Sequence, residues 1–143
     1  MTNEELMRRA IETAKHSKEA LRCGVVIARD GEIIAEAYNQ QRETHNATAH
    51  AEILAVSQAG QKLGNKNLND CVIYCTCEPC TMCLSAILFA KISKLYFGVS
   101  LSTASPDYMP IALTTEELLK SATHKLQVIP EFLKEEAEVL LNL

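Results

Sequence analysis

Two short segments of the chain carry residues whose types and spacing could bind a metal and move a proton. In one of them, Glu78–Cys83 (Glu-Pro-Cys-Thr-Met-Cys), the two cysteines Cys80 and Cys83 are three positions apart. This spacing places both thiols on one face of a helix. Pro79 favours the first turn of a helix, where the helix dipole and the free N–H groups stabilise a thiolate, the form of cysteine that binds zinc. On its own the pair also fits a redox pair or two small core residues.

The other segment, Thr48–Glu52 (Thr-Ala-His-Ala-Glu), offers the groups that the cysteines lack. A neutral imidazole such as that of His50 is a common third zinc ligand, and three protein ligands leave a fourth position for water, as in catalytic zinc sites. Glu52 is a candidate proton carrier. Residues two apart on an ideal helix point about 200° apart, so His50 and Glu52 share a site only if the helix begins beside them. Thr48 is the N-cap expected from its residue type.

His-x-Glu followed by Pro-Cys-x-x-Cys is the signature of zinc deaminases. Over nearly its whole length the chain resembles the cytidine and deoxycytidylate deaminase superfamily, and within it the branch of guanine deaminases, cytosine deaminases and tRNA adenosine deaminases. The resemblance implies a Zn²⁺ cofactor with His50, Cys80 and Cys83 as metal ligands and Glu52 as the catalytic proton carrier. It also implies that Asn39, which ends the segment Ala-Glu-Ala-Tyr-Asn, binds the substrate, and that the enzyme is a homodimer.

The reaction implied by the resemblance is the hydrolytic deamination of a nucleobase or nucleoside with release of ammonia. Zinc activates the attacking water, while Glu52 carries a proton to a ring nitrogen and then to the leaving amine. The chain departs from the family at positions expected to shape the pocket. It has Asn46-Ala47 where the family often has Asp-Pro, and Ser85-Ala86 where the family usually has Gly-Ala. These departures bear on the identity of the substrate rather than on the chemistry.

Charge favours a small-molecule base or nucleoside over a nucleic acid as the substrate. The formal net charge is −4, and the C-terminal segment is acidic, whereas a protein that tracks a phosphate backbone usually has a basic face. Together with the altered pocket residues and the family resemblance, this leads us to expect a free base or nucleoside, most of all a purine such as guanine, with the adenosine of a tRNA as the alternative. The acidic residues of the C-terminal segment are Glu131, Glu135, Glu136 and Glu138.

Two further classes of protein compete with a deaminase. Cys75 and Cys77 could join Cys80 and Cys83 in a four-thiolate structural or redox site. That alternative leaves the histidine and the glutamate of the other segment without a role, and a buried cysteine on a strand is an ordinary core residue. A non-catalytic interaction module on the same fold would not need the complete set of ligands. The residues assign no role to four cysteines: Cys23, Cys71, Cys75 and Cys77.

The elements that must position these residues form one domain, 1–143. Helices alternate with strands after an opening hairpin, whose turn is predicted at Asp30-Gly31. This order predicts an α/β fold of three layers, α/β/α, with a central mixed sheet of about five strands. The predicted helices span about residues 3–21, 48–63, 79–90, 115–122 and 131–141, the predicted strands span about 24–29, 32–38, 71–76, 94–99 and 125–129, and a Ser/Thr/Pro-rich loop precedes the fourth helix.

The remaining expectations concern location and assembly. No stretch approaches the roughly 20 apolar residues of a membrane span, and the first residues lack the core of a signal peptide, so we expect a cytoplasmic enzyme. The segment Leu84–Ile92 is apolar nearly all round. A helix of this kind is covered on more than one side, either by its own sheet and neighbouring helix or by a second subunit.

Overall fold

The structure, a computed structural model, describes residues 1–104 and 109–141 of the chain. Its helices and strands follow in the order α1 (Asn3–Ala14), β1 (Gly24–Arg29), β2 (Glu32–Tyr38), α2 (Gln41–Thr44), α3 (Ala51–Leu63), β3 (Val72–Cys77), α4 (Thr81–Phe89), β4 (Lys94–Val99), α5 (Leu101–Ala104), α6 (Thr115–Leu119), β5 (Gln127–Ile129) and α7 (Lys134–Glu138). A short 3-10 turn, Val139–Leu141, follows α7. Within these residues no helix is long and apolar enough to cross a lipid bilayer.

The five strands form one mixed sheet in the order β2-β1-β3-β4-β5. β1 is antiparallel to both β2 and β3, whereas β3, β4 and β5 are parallel to one another. Buried side chains of α3 and α4 pack on one face of the sheet, and those of α1 and α7 pack on the other. The predicted α/β/α architecture with a mixed five-stranded sheet is confirmed.

The turn between β1 and β2 lies where the sequence predicts it. Asp30 and Gly31 both have left-handed backbone angles, with φ values of 52° and 76°. A two-residue type I′ turn requires positive φ at both positions and matches the twist of the flanking strands. The strands are therefore paired from Arg29 and Glu32 onwards.

Several predicted boundaries are wrong, chiefly at the ends of helices. α1 ends at Ala14 rather than at residue 21, because the chain leaves the helix into a polar segment in which the buried Ser17 hydroxyl donates a hydrogen bond to the Asn39 carbonyl oxygen (3.3 Å). The last helix begins at Lys134 rather than at residue 131, since Glu131 and Leu133 have positive φ.

The other boundaries differ by one to three residues. The predicted segments 48–63, 79–90, 115–122 and 125–129 are all longer than the elements observed. The four-residue helices α2 and α5 were not predicted, because so short a segment shows no periodicity. The predicted Ser/Thr/Pro loop lies in part outside the described residues.

α1 packs directly against β1 at Gly24. A Cβ atom at this position would overlap the Ala10 carbonyl oxygen and would lie 2.7 Å from the backbone nitrogen of Ala14. Both neighbours are backbone atoms of α1, which cannot move without shifting the helix. The absence of a side chain at Gly24 therefore sets the distance between this helix and the sheet.

We expect Gly24→Ala to lower the free energy of unfolding by about 1–3 kcal/mol, the usual cost of overpacking a core. Gly60→Ala is the matched control, because Gly60 lies within α3 and the nearest atom to its added Cβ, the Asn65 carbonyl oxygen, is 3.4 Å away. Alanine is the better helix former, so this variant should gain about 0.4–1 kcal/mol. Urea denaturation measures both, and a Gly24→Ala variant as stable as the parent would contradict the close packing.

Candidate active site

Two helices begin at the same place, and the residues at their starts face each other. His50 is the N-cap residue of α3 and Cys80 is the N-cap residue of α4, both with extended backbone angles, and neither side chain makes a capping hydrogen bond. Cys83 lies in the first turn of α4. The imidazole and the two thiols are thus left to interact with one another.

The position of His50 explains how His50 and Glu52 can share one site, although residues two apart on an ideal helix point in different directions. Thr48 is not the cap of α3, contrary to the prediction; its N–H and its hydroxyl donate to the Asn46 side-chain oxygen at 3.0 and 2.8 Å. α3 begins at Ala51, so His50 precedes the helix and Glu52 lies within its first turn. The two side chains can therefore approach one site although they are only two positions apart.

The three candidate ligand atoms have the separations that zinc requires. His50 Nδ1 lies 3.7 Å from Cys80 Sγ and 3.4 Å from Cys83 Sγ, and all three ligand atoms are within 4.8 Å of one another. A tetrahedral zinc with Zn–N and Zn–S bonds of about 2.05 and 2.3 Å places its nitrogen and sulfur ligands about 3.6 Å apart. The observed distances bracket this value, so the residues fit the metal.

The hydrogen bonds within the cluster favour deprotonation of Cys80 and keep Cys83 protonated. The pKa of Cys80 is lowered to about 4, chiefly by the hydrogen bond from Cys83 and then by that from His50. The pKa of Cys83 is raised, because this thiol holds the proton that it donates to Cys80. The hydrogen bond with Cys80 raises the pKa of His50. Cys80 is therefore a thiolate at neutral pH, which is the form of cysteine that binds a cation.

Glu52 is a buried carboxyl group beside this cluster, with 6% of its surface exposed. Burial is the main cause that raises its pKa to about 7. A carboxyl group with a pKa near neutrality can both take up and release a proton, which is what general acid–base catalysis requires. The structure therefore places next to the candidate metal ligands the residue that the sequence suggested as the proton carrier.

Glu78 is a second buried carboxylate, for which the sequence indicates no role. Its Oε1 accepts a hydrogen bond from the Leu101 N–H (3.1 Å), and its Oε2 accepts one from the Thr115 N–H (2.8 Å). The Glu78 N–H donates in turn to the Val99 carbonyl oxygen (2.7 Å). These bonds fix the connection between β3 and α4, which carries Cys80. The one signal in the sequence is an acidic residue directly before Pro-Cys, and it does not identify the partners.

These groups open onto a cleft in the surface of the protein. Asn39 lines the cleft, as expected, but its amide also holds the neighbouring chain: Oδ1 accepts from the Cys23 N–H (3.0 Å) and Nδ2 donates to the Leu21 carbonyl oxygen (2.8 Å). The lining residues are Glu19, Leu21, Cys23, Asn39, Gln41, His50, Ala51, Glu52, Cys77, Glu78, Cys80, Leu101 and Met109.

The four-thiolate alternative finds no support in the geometry. Among the residues that the structure describes, the cluster of potential metal ligands consists of His50, Cys80 and Cys83. Cys75 belongs to the core between the sheet and α3 and α4, and Cys77 lines the cleft.

Relatives of the chain fall into two substrate classes at similar identity. Guanine deaminase of Bacillus subtilis (strain 168) is 34% identical over 128 residues, which cover 87% of this chain and 82% of the relative. The tRNA-specific adenosine deaminase of the same organism is 33% identical over 145 residues, covering 99% of this chain and 88% of the relative.

Solved structures give the same two classes. A structure from studies of A-to-I editing by tRNA:A34 deaminases matches with a TM-score of 0.83 and 31% identity, over 96% of this chain and 99% of that chain. Guanine deaminase from Bacillus subtilis matches with a TM-score of 0.69 and 37% identity, over 73% of this chain and 68% of that chain.

The sequence pattern of the cytidine and deoxycytidylate deaminase zinc-binding region matches residues 1–99, which is more than half of the chain. The fold, the relatives and the cluster of one histidine and two cysteines agree with this match. The chain belongs to the cytidine and deoxycytidylate deaminase family and is a zinc-dependent hydrolytic deaminase.

Proposed function

We propose that this chain, acting as one deaminase domain, removes the amino group of a free purine base or nucleoside, with guanine as the first candidate. His50, Cys80 and Cys83 hold the zinc ion, and Glu52 carries the proton. The observation that supports the zinc site and the role of Glu52 is the buried Glu52 carboxyl group beside three ligand atoms with the separations of a tetrahedral zinc site.

The chemistry divides between the metal and Glu52. Zinc, when bound, supplies the activation of water that the hydrolysis requires. The Glu52 carboxylate accepts a proton from the attacking water and passes it to the ring nitrogen beside the carbon that bears the amino group. It then takes the second proton of the water, from the hydroxyl group now bonded to that carbon, and delivers it to the amino nitrogen; the carbon–nitrogen bond breaks, and ammonia leaves while the carbon becomes a carbonyl. Burial of Glu52 keeps bulk water from exchanging this proton between the two transfers.

Asn39 is proposed to bind the substrate as well as to hold the chain. An amide NH₂ group has two donors, and the bond to the Leu21 carbonyl oxygen uses one of them. The second donor remains for a ring nitrogen or a carbonyl of the substrate. Because the other contacts of Asn39 fix its orientation, this donor is held in place before the substrate arrives.

The charge of the cleft supports a small, uncharged substrate. Its described lining residues include three glutamates, Glu19, Glu52 and Glu78, but neither a lysine nor an arginine. A phosphate group inside the cleft would therefore meet these carboxyl groups with no lysine or arginine to pair with. A free base avoids this cost.

One observation favours the tRNA alternative. Lys18, Arg42 and His45 line a separate open surface depression together with Glu43, and Arg42 donates from its side chain to the Lys18 carbonyl oxygen (3.2 Å). A flipped nucleotide could place its base in the cleft and its phosphates at such a surface. The acidic C-terminal segment also repels the phosphates of an RNA less than its sequence suggests, because the negative charge of Glu136 is paired with Arg8 in a salt bridge (2.9 Å).

We also propose that the enzyme is a homodimer in which a second copy covers α4. Phe89, the last residue of α4, is 86% exposed, a large apolar surface for a single side chain to present to water. Together with Val56, Ala86 and Ala90 it lines a broad apolar depression between α3 and α4. A contact of this kind would bury the side of α4 that its own sheet leaves uncovered.

The ligand assignment predicts that Cys80→Ala will reduce bound zinc from about one ion per chain to nearly none, with loss of turnover. Cys71→Ala is the matched control, since Cys71 is also buried but precedes β3 at the strand end remote from the site. It should retain its zinc. Elemental analysis of the purified variants measures both, and a Cys80→Ala protein with a full complement of zinc would contradict the assignment.

The role of Glu52 predicts a different result for Glu52→Gln. This variant keeps the shape of the side chain but cannot carry the proton, so it should bind zinc normally and lose turnover by roughly 10²-fold or more. Zinc content and kcat are measured on the same preparation. Loss of zinc would instead make Glu52 a ligand or a structural support.

The substrate class predicts release of ammonia from guanine or another free base or nucleoside, at a rate that depends little on salt. The purified enzyme is offered free bases, nucleosides and an anticodon stem-loop RNA side by side. An enzyme that contacts phosphates loses affinity steeply as salt rises, because each contact releases counterions. Efficient conversion of adenosine to inosine in the stem-loop, with no ammonia from any free base or nucleoside, would refute the purine-base assignment and leave the zinc chemistry intact.

A further inference from the structure

The polar side chains that line the cleft differ in whether the protein itself supplies their partners. Asn39 and Glu78 form hydrogen bonds with backbone groups, and His50 interacts with the two thiols. Gln41 also lines the cleft, but its Oε1 is buried and has no hydrogen-bond partner in the part of the chain that the structure describes. Gln41 thus lines the cleft and has an acceptor oxygen that no group of the described chain satisfies.

The backbone around Gln41 is fixed by its neighbours. The Gln40 N–H donates to the carbonyl oxygen of Ala49 (2.9 Å), the residue directly before His50, and the Asn46 N–H donates to the Gln41 carbonyl oxygen (3.0 Å). These bonds tie the start of α2 to the start of α3. The position of Gln41 relative to the candidate metal ligands is therefore set by the same short segment of chain.

A buried acceptor without a donor destabilises a folded protein, and nearly all such groups in native structures are paired. Because Gln41 lines the cleft, a small rotation of its terminal amide would let this oxygen accept from an N–H that a ligand brings there, without any change in the backbone. We propose that Gln41 is a specificity-determining residue, whose Oε1 accepts a hydrogen bond from an N–H of the substrate base.

This inference rests on the proposed function and sharpens its substrate class. A free purine such as guanine keeps ring N–H groups in addition to the amino group that leaves, whereas the adenine of an RNA chain has no ring N–H, because the glycosidic bond occupies that nitrogen. The acceptor on Gln41 therefore favours the free base. The Gln41 NH₂ group can donate to a neighbouring acceptor of the same base.

The first test compares Gln41→Met with the parent enzyme on guanine. Methionine has nearly the same length but cannot accept this hydrogen bond, so kcat/KM should fall about fivefold to a hundredfold, mainly through a higher KM. Gln40→Met is the matched control, because Gln40 is the adjacent glutamine and lines a different surface depression. It should remain within about twofold of the parent.

The second test needs no substrate. If the oxygen is unpaired in the protein alone, its removal should stabilise the fold, and Tm of Gln41→Met without ligand should rise by roughly 2–8 °C. A Tm that stays the same or falls would show that Gln41 has a partner within the protein and would overturn the inference. Zinc content, measured on the same samples, should be unchanged.

The two proposals can fail separately. If guanine is deaminated and Gln41→Met leaves its kcat/KM unchanged, the inference about Gln41 is wrong and the proposed function stands. If only the stem-loop RNA is deaminated but Gln41→Met raises Tm and lowers that activity, the purine-base assignment is wrong and Gln41 still contacts the base. If the stem-loop is the substrate and Gln41→Met has no effect on it, both are wrong.

Discussion

The site depends on one geometric constraint, which is that α3 and α4 must begin side by side at one edge of the sheet. His50 and Cys80 each end an extended segment and precede the first turn of a helix, and Cys83 lies one turn further along α4. Helix starts carry unpaired N–H groups and a partial positive charge, which favour thiolates there. The antiparallel pairing of β1 with β3 and the packing of α3 on β1, β2 and α4 hold the two starts together. A small rotation of either helix would separate the ligand atoms.

The two buried glutamates, Glu52 and Glu78, are suited to different roles because their surroundings differ. Glu78 offers its two oxygens to two backbone N–H groups and so fixes the wall of the cleft. Glu52 is buried to a similar degree, but the loss of water around it dominates and raises its pKa to about 7. One carboxylate is suited to hold the structure in place, and the other to exchange a proton. Burial alone does not distinguish them; the donors that meet each carboxylate do.

The architecture and the family could both be predicted from the sequence, because both depend on patterns of neighbouring residues. Alternating helix and strand signals predicted the three layers, the Asp30-Gly31 pair predicted the hairpin, and two short motifs indicated the family. Helix ends were less predictable, since they depend on contacts such as the one between Ser17 and the Asn39 carbonyl that join distant parts of the chain. The partners of Glu78 and the unpaired oxygen of Gln41 have no local pattern at all. They arise only when the folded chain brings backbone and side chains together.

The hydrogen bonds of Glu78 have a consequence for the order in which the enzyme becomes complete during synthesis. Glu78 joins backbone groups that lie 23 and 37 positions further along the chain. The motif residues themselves all precede position 84, so the groups proposed to bind the metal emerge from the ribosome before both partners of Glu78. A nascent chain ending before Leu101 has both thiols and the histidine but lacks Leu101 and Met109, which line the cleft. The proposed metal ligands therefore lie in the first two thirds of the chain, whereas part of the cleft wall and both backbone groups that Glu78 binds lie in the last third.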